Sequence, residues 1–359
     1  MLPNKRALEI IRKYMKIYNG RNEEDIKERL IKELKEENVL VETEDGTYTL
    51  KAEDEEEMMH SKVGALKEAI YKFAKPSKIE NLKNPRVLDL CSGMGYNAIA
   101  ALHYNKNAKI DMVEICEEVL FLTLFLDIPY KEHEIIKDKV REYFLNKIGI
   151  EYKSDYDNIN LYVGDARKFI IKSDKKYNVV FHDAFSPKRD PTLYTYDFLK
   201  EIYKRMEDNG VLISYSSAIP FRSALVDCGF VISENESVGR KRGITLAYKN
   251  PNFKPNRINE VDERVIALSV IALPYRDETL SLTKDKIIEN REERRKKLKE
   301  KLIKIEKYLS TKQIKKGNIP EEVLKIQKED LNSSEIIKKM RLKFFSNIGD
   351  KIFIEMFKF

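Results

Sequence analysis

Val87-Leu88-Asp89-Leu90-Cys91-Ser92-Gly93-Met94-Gly95-Tyr96-Asn97 decides the reading of this chain. An apolar run ends beside an acid, a tight glycine-containing turn follows, and a helical pattern begins at once. A parallel sheet offers a nucleotide-like cofactor this arrangement. The strand brings the chain to the sheet's carboxyl edge, glycine lets backbone approach the ligand, and a helix N-terminus supplies free N–H donors. Asp89, at the end of an otherwise apolar strand, points to a carboxylate aimed at the turn or the ligand.

Outward from this stretch the rhythm is strand, helix, strand, helix. Strands are expected near 86–90, 109–114, 158–163, 177–182, 210–216, 229–235 and 243–248. Residues 115–157 exceed one crossover helix and should carry two. The alternation predicts a doubly wound α/β sheet with helices on both faces. The connection Glu236–Arg242 is too short for a parallel crossover, so the last two strands should be antiparallel. Seven strands with one reversed at the end is the Rossmann-like layout of class I methyltransferases. Before it, residues 3–18 and 22–37 have helical spacing, and Val39–Thr43 and Thr47–Lys51 flank Glu44-Asp45-Gly46 as a hairpin. Helix, helix, hairpin also reads as a small winged helix, so a DNA-binding N-terminus is a competing reading. Leu66, Ile70 and Phe73 share one face of a further helix. Beyond Asn250 come a Pro/Asn-rich link, a strand-like or buried segment at Val265–Leu273, and long basic helices. Three segments result: 1–80 with the N-terminal helices, hairpin and a cofactor-closing segment, 81–250 as the core, and 251–359 as a basic helical extension.

The 359 residues are 35% charged and 42% apolar, enough apolar content for a substantial core. High Lys, Glu and Ile with only two glutamines resembles a heat-adapted composition, and an AT-rich genome enriches Lys and Ile as well. Cys91, Cys116 and Cys228 lie far apart, which argues against a disulfide framework and a structural zinc site and suits a cytoplasmic protein. The start shows no secretory pattern, and the longest apolar stretch, near Val119–Ile128, is too short to span a bilayer. From Lys284 to Phe359 there are 22 Lys/Arg against 13 Asp/Glu, an excess larger than the whole-chain +7. A basic tail on a near-neutral body suits a nucleic-acid partner, or else a solvated helical face in a Lys-rich protein.

A lone glycine turn is weak evidence, but four further features fall where a bound cofactor would reach. Glu114 closes the second strand about twenty residues past the glycines, where an acid can accept both ribose hydroxyls. Gly164-Asp165-Ala166 closes the third, its carboxylate suited to an adenine amino group. His182-Asp183-Ala184-Phe185-Ser186-Pro187 closes the fourth and leads into the loop where the reacting group should lie. Segment 60–66 can close over the cofactor. Each has a plainer alternative: Glu114 as a helix N-terminal charge, Asp165 as a helix cap, Asp183 as a turn former. A nicotinamide site would normally show Gly-x-Gly-x-x-Gly, and Asn97-Ala98 stands in place of its third glycine. No set of His, Cys and acidic residues has metal-ligand spacing, so no metal is expected.

At Asp183-Ala184-Phe185-Ser186-Pro187-Lys188 the chain resembles the methyltransferase domain of MnmC, the tRNA wobble-uridine modification enzyme, in its stand-alone form. The likeness spans roughly residues 39–300. It rests also on Asp45-Gly46-Thr47-Tyr48-Thr49-Leu50, His60-Ser61-Lys62-Val63-Gly64-Ala65, Ser92 to Asn97, Pro191-Thr192-Leu193-Tyr194-Thr195, Ser214 to Ala218, Gly239-Arg240-Lys241-Arg242 and Leu273-Pro274-Tyr275-Arg276-Asp277. Cys91-Ser92 fills the first family glycine position, and Tyr194 stands where Trp is frequent. The first forty residues and the tail after about Tyr308 have no counterpart in the family pattern. No flavin domain is present, so oxidative removal of a carboxymethyl group is not expected.

The resemblance implies methyl transfer from S-adenosylmethionine to the amine of 5-aminomethyl-(2-thio)uridine in tRNA. It places the cofactor among His60, Asp89, Cys91, Gly93, Gly95, Asn97, Glu114, Gly164, Asp165, Ala166 and Asp183. Asp183 and Tyr194 are then the catalytic candidates, with Asp183 orienting the amine or taking its proton. Phe185 and Tyr194 can flank the base or belong to the core, and His60 can meet the cofactor carboxylate or cap a helix. Ser186, Lys188, Arg189, Arg240, Lys241 and Arg242 are the substrate-side candidates, the cations as phosphate contacts to the anticodon region. Competing readings are a polyamine aminopropyltransferase-like enzyme, a methyltransferase for another RNA or protein amine, and a non-catalytic nucleic-acid-binding protein.

Overall fold

A computed structural model describes residues 3–53, 58–235 and 243–345. Nine strands occur among them: β1 Leu40–Glu42, β2 Tyr48–Leu50, β3 Arg86–Leu90, β4 Lys109–Glu114, β5 Ile159–Val163, β6 Tyr177–His182, β7 Met206–Ser214, β8 Val231–Asn235 and β9 Ile244–Tyr248. β1 and β2 form an antiparallel hairpin, and the other seven make one sheet in the order β5-β4-β3-β6-β7-β9-β8. β3 is parallel to both β4 and β6, and β4 to β5. β9 is antiparallel to both β7 and β8, the reversal that its short connection predicts. Chain order reverses direction at β3, between β4 and β6. Ligands of open α/β sheets bind outside the carboxyl ends of the strands at such a switch point.

By internal contacts the chain divides into two units: among the described residues, 3–53, 58–172 and 177–185 form one, and 173–176, 186–235 and 243–345 the other. Neither division falls at residues 80/81 or 250/251.

In the first unit the N-terminal helices Lys5–Met15 and Glu23–Glu36 bury Leu8, Ile11, Ile26, Leu30 and Leu34, the face their spacing predicts. They do not stand apart as a winged helix. Arg141 makes a two-pronged contact with Glu23 at 2.8 and 2.9 Å, Arg12 meets Glu118 at 2.6 Å, and Tyr18 packs edge-on against Phe121. These partners lie on the crossover helices Glu117–Thr123 and Glu132–Lys147, the two expected between β4 and β5. The hairpin is tied to the sheet by Tyr96, whose hydroxyl donates to the Tyr48 carbonyl and accepts the Tyr48 N–H. Helical structure runs from Ala65 to Ser77 with a π-helical stretch at Ala69–Ala74, and Phe73 meets Phe181 of β6 edge-on.

In the second unit β7 starts at Met206, four residues before the expected strand. Glu207, Asp208 and Asn209 are the exposed part of this strand. Val265–Leu268 is buried, but in a helix, Glu260–Leu268. Asn259 caps it by accepting the Val261 N–H, and Glu260, Asp262 and Glu263 fill its first turn, where acids complement the helix dipole. The helices that follow, Lys284–Lys304, Thr311–Lys315 and Ser333–Phe344, attach through buried arginines. Arg341 meets Asp227 and Ser223, Arg264 meets Gln327, and Arg291 donates to the carbonyls of Leu273 and Ile271.

Candidate active site

Among the described residues, the carboxyl ends of β3, β4, β5 and β6 carry Asp89, Glu114, Gly164-Asp165 and Asp183, all in the first unit. The turn after β3 is stapled to its neighbour. Cys91 and Ser92 N–H groups donate to the Val113 carbonyl, Ser92 Oγ accepts the Val113 N–H, and the same hydroxyl donates to the Asp89 carbonyl. Cys91 has φ +61°, Gly93 +54° and Gly95 +84°, a left-handed run that only its glycines adopt without cost. At Gly95 a Cβ would also come within 3.0 Å of Ile136.

Glu114 is buried and bound into this turn. Oε2 accepts the Gly93 N–H, and Oε1 accepts those of Ile115 and Cys116, each at 2.9 Å. Burial raises its pKa, and these N–H groups oppose the rise. Oε2, with one bond counted, keeps a lone pair for a further donor.

Asp183 follows β6. Its Oδ2 accepts from Asn97 Nδ2 at 2.9 Å, and its N–H donates to the Leu90 carbonyl. Asp89 is fully buried, and neither carboxylate oxygen has a hydrogen-bond partner among the described residues. Burial pushes its pKa up to about 8; the nearby polar side chains of Ser92 and Asn97 oppose the rise, and the charges of Asp183 and Glu114 add to it. Three acids therefore converge on one sheet edge, and the innermost, Asp89, has no hydrogen-bond partner for its carboxylate among the described residues. An arrangement of this kind favours a cationic ligand.

Asp165 accepts the Arg167 N–H at 2.8 Å and pairs with the Arg167 guanidinium at 2.8 Å. Its burial raises the pKa, but Arg167 brings it net below the usual carboxylate range. It thus sits at the start of the helix Ala166–Lys172 as that helix's cap. Gly164 has φ +151°, with the Tyr162 ring 3.1 Å from where a Cβ would stand.

His60 does not cap the next helix, whose N-cap is Gly64. Its N–H donates to Thr49 Oγ1 at 2.9 Å, and Nδ1 lies 3.2 Å from the same oxygen. That hydroxyl, already an acceptor, can donate to Nδ1, which places the ring proton on Nε2. Desolvation pushes the pKa down to about 4, so the ring is neutral near pH 7. Toward a carboxylate it can act as an N–H donor, not as a cation.

Further contacts support this segment. Asp45, in the hairpin turn, accepts from Thr43, Thr47 and the Lys67 N–H. A Cβ at Gly64 would lie 2.1 Å from its carboxylate, so this acid reaches the start of the helix only over a glycine. Glu68 accepts from Ser61 Oγ and pairs with buried Lys72 at 2.6 Å.

Phe185 is half-buried. Ser186, Lys188, Arg189 and Tyr194 belong to the second unit. There Lys188 is exposed, Ser186 and Arg189 are half-buried, and the Arg189 and Asp190 N–H groups close a turn on the Ser186 carbonyl. Tyr194 is fully buried and edge-on to Phe221 at 5.0 Å, so its ring acts as core and presents no open face to a base. Arg240, Lys241 and Arg242 lie outside the described residues. Among the described residues no group of His, Cys, Asp and Glu is placed to hold a metal, and no helix is long and apolar enough to cross a membrane.

A family model for S-adenosyl-L-methionine-dependent methyltransferases matches residues 130–250. The crystal structure of MnmC2 from Aquifex aeolicus superposes with a TM-score of 0.56 at 28% identity, covering 75% of this chain and 97% of that one. The chain is a class I S-adenosyl-L-methionine-dependent methyltransferase. The methyltransferase is also 96% identical over 347 residues to the uncharacterized protein MJ0670 of Methanocaldococcus jannaschii, covering 97% of this chain and 98% of that protein. It is 22% identical over 233 residues to the tRNA 5-methylaminomethyl-2-thiouridine biosynthesis bifunctional protein MnmC of Paraburkholderia xenovorans. That match takes in 56% of this chain but only 34% of the bifunctional protein. The buried Asp89 and the two acids beside it fit a methyl donor that carries a sulfonium and an α-amino group.

Proposed function

We propose that this methyltransferase methylates the aminomethyl nitrogen of 5-aminomethyl-(2-thio)uridine at the tRNA wobble position. The observation that carries the reading is Asp183, oriented by Asn97 at the switch point of the sheet. The likeness to MnmC2 and MnmC supplies the substrate class.

When bound, S-adenosylmethionine supplies an electrophilic methyl on a sulfonium. Glu114 would hold the ribose hydroxyls with its remaining acceptor capacity. Gly93 and Gly95 let the backbone approach, Asp89 faces the cofactor's positive end, and His60 donates toward its carboxylate. Gly164 to Ala166 border the adenine. The acceptor amine must be neutral to use its lone pair. Asp183 orients it by accepting one N–H and takes up the proton released on transfer, directly or through water. Most of the gain comes from alignment, for which well-oriented systems reach about 7–11 kcal/mol. Phe185, two residues from Asp183, offers a half-buried ring to a splayed base. Lys188 and Arg189 would take phosphates.

The test is mass spectrometry of nucleosides from tRNA incubated with the protein and methyl-labelled cofactor. Label in 5-methylaminomethyl-(2-thio)uridine supports the reading, and label confined to another nucleoside overturns it. The same acidic edge suits a polyamine. Incubation with decarboxylated S-adenosylmethionine and putrescine therefore belongs in the experiment, and aminopropyl transfer there would also overturn the reading.

A further inference from the structure

The helix Lys284–Lys304 changes character along its length. Ile287, Arg291, Leu298 and Leu302 are buried on one face, and Arg291 lies over the Tyr275 ring at 4.5 Å. Before Lys296 two of its cations are paired, Lys286 with Glu289 at 2.7 Å and Arg295 with Glu292 at 2.6 Å. From Arg294 to Lys316 the sequence holds 11 Lys/Arg against two acids, Glu300 and Glu306. Lys296, Lys297, Lys304, Lys312, Lys315 and Lys316 are all exposed, and none has an ion-pair partner among the described residues.

The density of like charge over residues 294–316 sets this stretch apart. Some helical cations elsewhere in the chain are paired, as Arg29 is with Asp25 at 2.8 Å and Lys137 with Glu134 at 3.2 Å. Lys312 faces Lys315 and Lys316 at helical spacing, and Lys297 and Lys304 are so spaced from Lys301. Like-charge neighbours of this kind each cost roughly 0.2–0.5 kcal/mol.

Nor are these cations on a loose tail. The Ser310–Gln313 capping box starts the short helix Thr311–Lys315. Arg264, largely buried and held by Gln327 at 2.7 Å, donates to the Ile314 carbonyl at 3.2 Å. Lys299 lies over the Tyr308 ring at 5.3 Å, between the two lysine groups in sequence. A fixed array of unpaired cations with an aromatic among them is suited to a polyanion with regularly spaced charges.

We infer that the 296–316 surface of the second unit binds the phosphate backbone of the RNA substrate. This rests on the proposed tRNA reading for the identity of that RNA. It assigns the C-terminal extension the work of holding substrate, separate from the chemistry at Asp183. Two exposed isoleucines, Ile303 and Ile305, invite comparison with a membrane-surface helix. The helix's main apolar face, however, is already buried in protein, whereas interfacial helices keep theirs for lipid.

The experiment measures tRNA binding of the full chain by filter retention between about 50 and 200 mM salt, the range over which phosphate binding weakens steeply. The wild type is compared with a variant carrying Gln at Lys296, Lys297, Lys304, Lys312, Lys315 and Lys316. Two half-variants, 296/297/304 and 312/315/316, serve if the six together impair folding. A charge-matched control carries Gln at Lys5, Lys32, Lys78, Lys83, Lys106 and Lys109. The surface variant should bind tRNA about tenfold or more weakly at about 100 mM salt. Its slope of log affinity against log salt should fall by about one for each phosphate that the protein no longer neutralises. Its melting temperature and cofactor affinity should match the wild type, and the control should bind tRNA as the wild type does. Unchanged tRNA affinity in a folded surface variant, or an equal drop in the control, overturns the inference. A wild type that ignores tRNA but pellets with phosphatidylserine vesicles overturns it in favour of a membrane. A wild type that binds tRNA through this surface without methylating the wobble nucleoside removes the functional reading and leaves the surface standing.

Discussion

Asn97 Nδ2 donates to Asp183 Oδ2 at 2.9 Å, which couples the helix after the glycine turn to the end of β6. A side-chain amide in the first turn of that helix thus meets the acid that follows β6. Asp183→Ala should lower kcat by about 10²–10⁴-fold, the range of a positioned acid or base. Cofactor affinity should change far less, since Glu114 and the glycine turn remain. Asn97→Leu should show a smaller drop in kcat through misorientation of Asp183. Single-turnover kinetics beside calorimetric cofactor titration checks both, and undiminished turnover in Asp183→Ala would remove it from the chemistry.

Asp89 makes a pH-dependent prediction of definite sign. Its folded pKa, about 8, lies above that of an unfolded aspartate, so between about pH 4 and 8 the unfolded chain releases a proton that the fold retains. The fold is therefore progressively destabilised as pH rises through that window. Asp89→Asn should lose this dependence, its stability relative to wild type improving from about pH 5 to pH 8 in urea melts. A cationic ligand draws the pKa down, so cofactor binding near pH 7 should release a proton. Calorimetry in buffers of different ionisation enthalpy should detect that proton in the wild type and not in Asp89→Asn.

The parts of this molecule that sequence reveals are those written in local pattern. Apolar runs mark β3, β4, β5 and β6 to within a residue, and the length of 115–157 announces two helices. Asp89, Glu114, Asp165 and Asp183 are legible because each follows an apolar run. Val265–Leu268 misleads because Val-Ile-Ala-Leu suits strand or helix alike, and the deciding cap lies six residues earlier at Asn259. The approach of Asp45 to Gly64 and the complete burial of Asp89 depend on contacts between separate elements. No periodicity encodes them. Tyr194 illustrates a different limit, since an aromatic beside a functional loop can serve substrate or core and only its burial distinguishes them.

Cys91 occupies a left-handed conformation, φ +61°, at the position where the family pattern has glycine. A non-glycine residue there costs about 1–2 kcal/mol, while glycine loses an additional 0.4–1 kcal/mol or so of chain entropy on folding. Cys91→Gly should consequently be neutral to stabilising by up to about 1 kcal/mol, with cofactor binding retained. Cys91→Val, β-branched at positive φ, should be destabilising. Chemical denaturation midpoints of the two variants should fall on opposite sides of the wild type or, at the least, in this order.

Arg222 is fully buried in the helix Ile219–Cys228 and joins three parts of the second unit. Nη1 meets Glu234 of β8 at 2.7 Å and Asp262 of the helix Glu260–Leu268 at 3.1 Å, while Nε donates to Thr245 of β9 at 2.9 Å. Removing one member of a buried charge set leaves its partners without compensation, at about 3–5 kcal/mol. Glu234 retains some solvent access, so Arg222→Met should fall near the lower end of that range. Adding Asp262→Leu to Arg222→Met should recover part of that stability, because the buried carboxylate then goes with its partner. Urea unfolding of the single and double variants reads the coupling. A double variant as unstable as the sum of the single ones would show that Arg222 and Asp262 contribute independently to the attachment of the C-terminal helices.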